Sequence, residues 1–234
     1  NRCINTNQGY IRMKAFQEFL DEGVNDPAIF KAIILAGGPG SGKSFVVGKT
    51  ALQPLGFKLI NSDIAFEKAL AKAGLEATPD NIMSPAGQIA RASAKAITGK
   101  QMYRALEGRN GIVIDGTGKD YNKIAGQVND LRNIGYAVAM IFVNADLDTA
   151  LKRNKLRKRS LADKDVEKMW QGVQNNIGKF QNLFRERMVI VDNSNGSNIE
   201  GASLRAYTWM MKWSKKKPEN RIAIKWIKDQ SASK

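Results

Sequence analysis

Residues 32–45 read AIILAGGPGSGKSF. The first five are apolar without interruption, which suits a short strand buried on both faces of a parallel sheet. The eight that follow, Gly37 to Ser44, fit the spacing G-x-x-x-x-G-K-[ST]. Glycine lets the backbone curl until successive N–H groups point inward, and such a nest binds anions. A helix beginning at about Lys43 would add its positive end to the pull on phosphate. Gly38, Pro39, Gly40, Ser41, Gly42, Lys43 and Ser44 are therefore the candidate phosphate-binding residues. In this pattern Lys43 reaches the β- and γ-phosphates of a nucleotide, and the Ser44 hydroxyl is offered to Mg²⁺.

Working outward, four more apolar runs read as strands: FKLIN at 57–61, GIVID at 111–115, YAVAMIFV at 136–143 and RMVIVD at 187–192. Helical patterns lie between them. They are expected from Ser62 or Asp63 to Lys72, over 86–107, over 121–133, over 146–157 and over 163–183. TPDNIMSP, at 78–85, reads as a loop because Pro and Asx residues cluster there. GYIRMKAFQEFLDEG, at 9–23, carries Ile11, Phe16, Phe19 and Leu20 at near-helical spacing and reads as an amphipathic helix. Strands alternating with helices imply an α/β fold. The expected architecture is a P-loop NTPase three-layer sandwich: a mostly parallel five-stranded sheet, helices on both faces and a lid carrying arginines.

Binding a nucleotide leaves the reaction open, so residues at the carboxyl ends of the strands matter most. Asp63 follows the second strand, where it would face the γ-phosphate and can accept the proton of an attacking hydroxyl. Ser62 or Asp63 can instead serve only as a helix N-cap. Asp115 ends GIVID and is placed like an acidic residue that holds Mg²⁺; Gly116-Thr117-Gly118 then forms a turn. Arg153 and Arg157 are four apart and would share one helix face, with Arg159 beyond. Fixed guanidinium groups answer the charge that phosphoryl transfer spreads over its oxygens. The candidate catalytic residues are thus Lys43, Asp63, Arg153 and Arg157, and the metal candidates are Ser44 and Asp115.

These segments together resemble the P-loop kinases of the zeta-toxin and phage polynucleotide-kinase group. LAGGPGSGKS (35–44) is similar to that group's phosphate loop, and LINSDIAFE (59–67) to its strand-plus-Asp segment, whose Asp is the base for the substrate hydroxyl. ALKRNKLRKRSLADKDVEKMW (150–170) resembles the arginine-bearing lid of the phage enzyme, where two arginines four apart contact phosphates; here those positions are Arg153 and Arg157. VIDGTGKD (113–120) resembles the zeta-toxin strand and turn that line the acceptor pocket. The resemblance covers about residues 30 to 192. It implies an ATP- and Mg²⁺-dependent kinase acting on a hydroxyl of a sugar nucleotide such as UDP-N-acetylglucosamine, a nucleoside or a polynucleotide 5′ end. A protein inhibitor of the antitoxin kind is the partner it implies. One departure is Phe66, which stands where the polynucleotide kinases place an arginine three residues after the base, so that phosphate contact is not expected from this position.

Composition sets the outer limits. The chain has 234 residues and no histidine, which excludes any mechanism that needs an imidazole. A single Cys3 excludes an internal disulfide. No apolar run approaches the roughly 18 residues of a membrane helix, so no membrane association is expected. NRCINTNQGY does not read as a signal peptide and has no initiator Met. A cytoplasmic setting is expected, and a fragment or a processed product would account for the missing Met. The expected domains are a helical extension over 1–29, a P-loop kinase domain over 30–196, and a basic helical appendage over 197–234 packed on the same domain.

The net charge is +15, unevenly spread: residues 1–150 hold 17 Lys and Arg against 14 Asp and Glu, whereas residues 151–234 hold 20 against 8. A basic last third suggests an anionic partner. LRAYTWMMKWSKKKPENRIAIKWIKD (204–229) places Trp209, Trp213 and Trp226 among lysines. That mixture can be a nucleic-acid surface. It can equally be packed helix, since Leu204, Tyr207, Thr208 and Met211 recur at core spacing and lysine stems can cover apolar surface. The alternative to a kinase is a nucleotide-dependent nucleic-acid-binding phage protein without kinase activity. A GTPase switch is disfavoured because no N-K-x-D segment stands in the expected region.

Overall fold

The structure is a computed structural model that describes residues 24–49, 52–157 and 160–232. The helix expected over 9–23 lies outside the described residues. The five strands expected from the apolar runs form one sheet: β1 (Lys31–Ala36), β2 (Lys58–Ile60), β3 (Ile112–Asp115), β4 (Ala137–Asn144) and β5 (Met188–Asp192). Their spatial order is β2-β3-β1-β4-β5, and each pairing is parallel. β1 is therefore central, and its carboxyl end, where the glycine loop begins, stands between β3 and β4. Residue pairing fixes this closely: Leu35 lies opposite Asp115 on β3 and Ile141 on β4.

Alternate residues of each strand serve opposite faces. On one face Ala32, Ile34 and Ala36 join Ile112, Val138, Met140 and Phe142; on the other Ile33 and Leu35 join Val113, Ala139, Ile141 and Val143. Both faces are covered, which explains why β1 and β4 read as unbroken apolar runs. The glycine loop leads into α1 (Lys43–Lys49), and β2 into α2 (Ser62–Lys72). The first face is covered by α5 (Tyr121–Asn133), through Ile124, Val128 and Leu131, and by Phe180 and Phe184 of α8 (Ile177–Phe184).

Four local expectations need correction. Residues 78–85 are not a loop: α3 (Pro79–Met83) and α4 (Pro85–Glu107) start there, each with proline in its first turn and a capping hydroxyl, Thr78 or Ser84, just before it. The prolines that suggested a break mark helix starts, where a missing N–H costs nothing. The helix expected over 146–157 ends earlier, as α6 (Leu147–Lys155). The one expected over 163–183 is two, α7 (Asp163–Gln174) and α8, divided at Asn175 and Asn176. The buried Asn176 side chain donates to the carbonyls of Gly118 and Lys119, an interaction that ties this break to the turn after β3.

The last correction concerns the basic tail. It forms α9 (Ile199–Ser214) and α10 (Arg221–Ala232). Ala202, Ala206, Met210 and Trp213 bury α9 against the sheet, while Leu204 is 63% exposed, so the buried stripe is offset from the one the sequence suggested. Trp209 stacks on Trp213 at 5.7 Å between ring centroids, and Trp226 meets Phe30 edge-on at 5.6 Å. The tryptophans are packing groups of the domain, and α10 closes over the same face as α5 through Ala223 and Trp226. At the other end of the described chain, residues 24–30 form turns, and Ala28, Ile29 and Phe30 are buried in the core.

Candidate active site

Two glycines of the loop are required by close approach as well as by conformation. Gly40 and Gly42 have φ of +72° and +85°, where side chains are disfavoured. A Cβ on Gly40 would run into the carbonyl oxygen of Ala150 in α6, and one on Gly42 into the side-chain nitrogen of Asn193, just after β5. The loop is thus clamped between α6 and the end of β5. Asn193 completes the clamp: its Nδ2 donates to the Ser41 carbonyl at 2.7 Å, and its own carbonyl accepts from Arg153 Nη1 at 2.8 Å.

Lys43, first residue of α1, folds back over the loop and its Nζ donates to the Gly37 carbonyl at 2.7 Å. Burial lowers its pKa, the Asp115 carboxylate works against that, and Arg157 lowers it further. Asp115 ends β3 beside it. Burial raises the Asp115 pKa and the Lys43 ammonium draws it back down. Its Oδ2 accepts from Asn61 Nδ2 at 2.7 Å, whereas its Oδ1 is buried with no hydrogen-bond partner among the described residues. An orphaned carboxylate oxygen next to the phosphate loop is a vacancy in the bonding that a hydrated cation would fill. Ser44, the next residue of α1, is exposed at the same helix start. Asp115 and Ser44 therefore fit a Mg²⁺ ion, which takes few protein ligands and keeps phosphate oxygens and waters for the rest.

Asp63 is the second residue of α2 and is exposed. It does not cap that helix, and neither does Ser62. Asn61 does, accepting from the Asp63 and Ile64 amides at 2.7 and 3.4 Å. The Asp63 carboxylate acts on both Lys43 and Asp115 through its charge. With Lys43, Pro39, Thr117 and Arg157 it lines a cavity of about 590 Å³ whose far wall is Phe66, Ile82, Met83, Arg91 and Lys95.

The two arginines are not equivalent. α6 ends at Lys155, so Arg153 lies on the helix and Arg157 beyond it, and they do not share a helix face. Asn154 is the reason: fully buried, it donates to the Leu161 carbonyl at 2.7 Å and accepts from the Leu161 amide at 3.1 Å, pulling the chain out of helical course. Arg153 braces Asn193, and Arg157 reaches the cavity that holds Lys43 and Asp63. Arg159 lies outside the described residues. Sequence reasoning missed Arg91 and Lys95, which enter from the middle of α4. The Arg91 guanidinium stands over the Phe66 ring, 4.9 Å from its centroid. The position that lacks an arginine in sequence thus has one brought to it by another helix.

A family model described as an AAA domain matches residues 33–175, more than half of the chain. The chain belongs to that AAA domain family. The matched span runs from β1 into α7 and so includes the phosphate loop, Asp63, Asp115, Arg153 and Arg157. A UPF0200 protein of Aeropyrum pernix is 30% identical over 129 residues, which are 55% of this chain and 65% of that protein. This chain therefore spans just under two thirds of the length of that relative. Among solved structures, one described for the PezAT chromosomal toxin-antitoxin system of Streptococcus pneumoniae matches with a TM-score of 0.50 and 12% identity, over 92% of this chain and 99% of the other. A chain of the Pnkp1/Rnl/Hen1 RNA repair complex matches with 0.50 and 19%, over 64% and 46%. One of AvrRxo1-ORF1:AvrRxo1-ORF2 matches with 0.51 and 16%, over 77% and 63%. At these identities the likeness is one of fold, that of an α/β P-loop NTPase, which implies nucleotide binding.

Proposed function

We propose that the protein is an ATP-dependent kinase that transfers the γ-phosphoryl group to a hydroxyl of an acceptor held in the cavity between α2, α4 and the segment after α6. The observation that carries this reading is that Asp63, Lys43 and Arg157 line one cavity adjoining the phosphate loop. A nucleotide switch needs no second cavity beside its γ-phosphate, whereas a kinase needs room for an acceptor.

In this reading the backbone amides of Gly38 to Ser44 and the Lys43 ammonium hold the β- and γ-phosphates. Asp63 accepts the acceptor's hydroxyl proton as its oxygen bonds to the γ-phosphorus, while the bond from that phosphorus to the bridging oxygen breaks and ADP leaves. Arg157 answers the charge on the transferring oxygens. Arg153 works indirectly, by holding Asn193 against the loop. Ser44 and the Asp115 carboxylate would hold Mg²⁺, which would supply neutralisation of phosphate charge. The acceptor is a sugar nucleotide, nucleoside or polynucleotide 5′ end. Arg91 and Lys95 favour one carrying an anionic group, and Phe66, Ile82 and Met83 one with an apolar or planar part.

The test is transfer of labelled phosphate from ATP to UDP-N-acetylglucosamine, nucleosides and 5′-hydroxyl oligonucleotides. At least one acceptor should be labelled in a Lys43-dependent way. Labelling that survives Lys43→Ala, or none with any acceptor carrying a hydroxyl, overturns the reading.

A further inference from the structure

The opposite end of the sheet carries a second polar cavity, of about 850 Å³. Lys31, the first residue of β1, forms its floor, and Arg132, Arg187, Lys212, Lys216 and Lys217 line it. They come from β1, the end of α5, the turn before β5, and the end of α9 with the segment after it. Lys31 is six residues from Gly37, so at strand rise the two sites are roughly 20 Å apart.

Lys31 is the telling residue, because it is only 3% exposed. A lysine so enclosed ordinarily has a carboxylate partner. Among the described residues no carboxylate forms an ion pair with Lys31; its Nζ lies over the Trp213 ring, 5.2 Å from the centroid. Two carboxylates, Glu186 and Glu219, line the cavity against six cations. Glu186 is drawn loosely to Arg187, at 3.8 Å. Arg132 spends one donor on the Leu183 carbonyl at 3.2 Å and keeps the others. Positive charge therefore converges from four parts of the chain onto a concave, partly desolvated space. That arrangement opposes folding unless something negative enters it.

We propose that this cavity is a second ligand site, for a small phosphorylated anion, separate from the phosphate loop. Phosphate chemistry is favoured because guanidinium groups and lysines together suit a multiply charged, many-acceptor ligand. A small molecule is favoured over a nucleic-acid strand because the volume is that of a ligand pocket and the two tryptophans that line it, Trp209 and Trp213, stack on each other at 5.7 Å, so those ring faces are already taken. Burial lowers the Lys31 pKa to about 8, and the neighbouring Arg187 and Lys216 lower it while Glu219 raises it, so an arriving anion would take over the role Glu219 fills only in part.

The experiment is calorimetric titration of the full chain with inorganic tripolyphosphate at 150 mM salt, in the Lys43→Ala background so that the phosphate loop contributes little. Saturable binding near one equivalent is expected, weakened at least tenfold by adding Lys216→Glu, which is exposed and should not disturb folding. Lys31→Met should abolish it, and circular dichroism checks that this variant is folded. Absence of saturable binding, or an affinity changed less than twofold by Lys216→Glu, overturns the site. Tighter, strongly salt-dependent binding of a 12-nucleotide oligomer lost with the same substitution would overturn the small-molecule assignment in favour of nucleic acid.

Discussion

Lys31 opens β1 and Lys43 stands seven residues beyond its end, and burial lowers the pKa of both. Their surroundings differ in kind. Lys43 has the Gly37 carbonyl as a hydrogen-bond acceptor and two carboxylates, Asp115 and Asp63, that favour its charged form. Lys31 has an aromatic face, two cations that oppose its charge and one carboxylate that supports it. A buried charge with acceptors and carboxylates beside it has part of its burial cost offset and can be kept ready for a polyanion. One left with like charges weakens the fold until a partner arrives. The same strand thus shows how a site assembled next to a loop motif differs from one assembled by distant packing.

The largest expected effect falls at the balanced end. Lys43→Ala should lower acceptor-dependent phosphate transfer by about 10³-fold, the scale of losing a charge that acts on the transition state. A turnover loss under tenfold would mean that the ammonium is a structural group of the loop. Asp63→Asn comes next. Removing a general base costs about 10²- to 10⁴-fold, with nucleotide affinity held within a few-fold. Since Asn61 and not Asp63 caps α2, this substitution also separates chemistry from folding: an unchanged melting temperature with turnover lost supports the base, and the reverse result contradicts it.

The two arginines sharpen the comparison within the balanced site. Arg157→Ala should reduce kcat by about 10²-fold, with ATP binding little changed. Arg153→Ala should act through the fold. Leaving the Asn193 carbonyl without its donor costs about 1–3 kcal/mol and loosens the loop, so stability and nucleotide affinity should fall together. Equal effects of the two substitutions on kcat, with stability untouched, would show that both face the transferring group and that the brace is incidental.

What could be read from sequence divides along the same line as the lysines. The five strands were legible because β1 and β4 are covered on both faces and show no polar alternation, and the phosphate loop because its glycines, lysine and serine stand at fixed spacing within eight residues, although the clamp from Ala150 and Asn193 left no trace there. Asp63 lines the cavity beside the loop, but Asn61, Ser62 and Asp63 are all capping residues, and which one accepts the amides depends on the backbone. Arg157 was misplaced because its spacing assumed an unbroken helix, and the Asn154–Leu161 clamp that breaks it is a side-chain event with no periodic trace. Arg91 and Lys95 sat unremarked on a long polar helix. Lys31 was least legible of all: a lysine at a strand start is ordinarily solvated, and its burial is made by Trp213, about 180 residues later.

The smallest effect bears on that unbalanced end and has a sign that is easily tested. The unfolded chain holds the Lys31 proton up to its ordinary pKa of 10.5, whereas the folded chain gives it up at about 8. Between those values the unfolded state binds more protons, so this group makes stability rise with pH through that window. Below pH 8 the full penalty of the buried charge is present; above 10.5 the lysine is neutral in both states and the penalty is gone. Lys31→Met fills a similar volume without charge and should therefore stabilise the free protein at pH 7 by about 1–3 kcal/mol. The gain should shrink towards zero at pH 10.5. Groups remote from position 31 contribute alike to the two proteins, so the difference in melting temperature reports on this position and its immediate charged neighbours. Tripolyphosphate at pH 7 should narrow the difference as well, by raising the melting temperature of the parent and not of the variant. A parent more stable than the variant at pH 7 would mean that the Trp213 face and Glu219 already satisfy the ammonium, and the contrast between the two ends of β1 would fail.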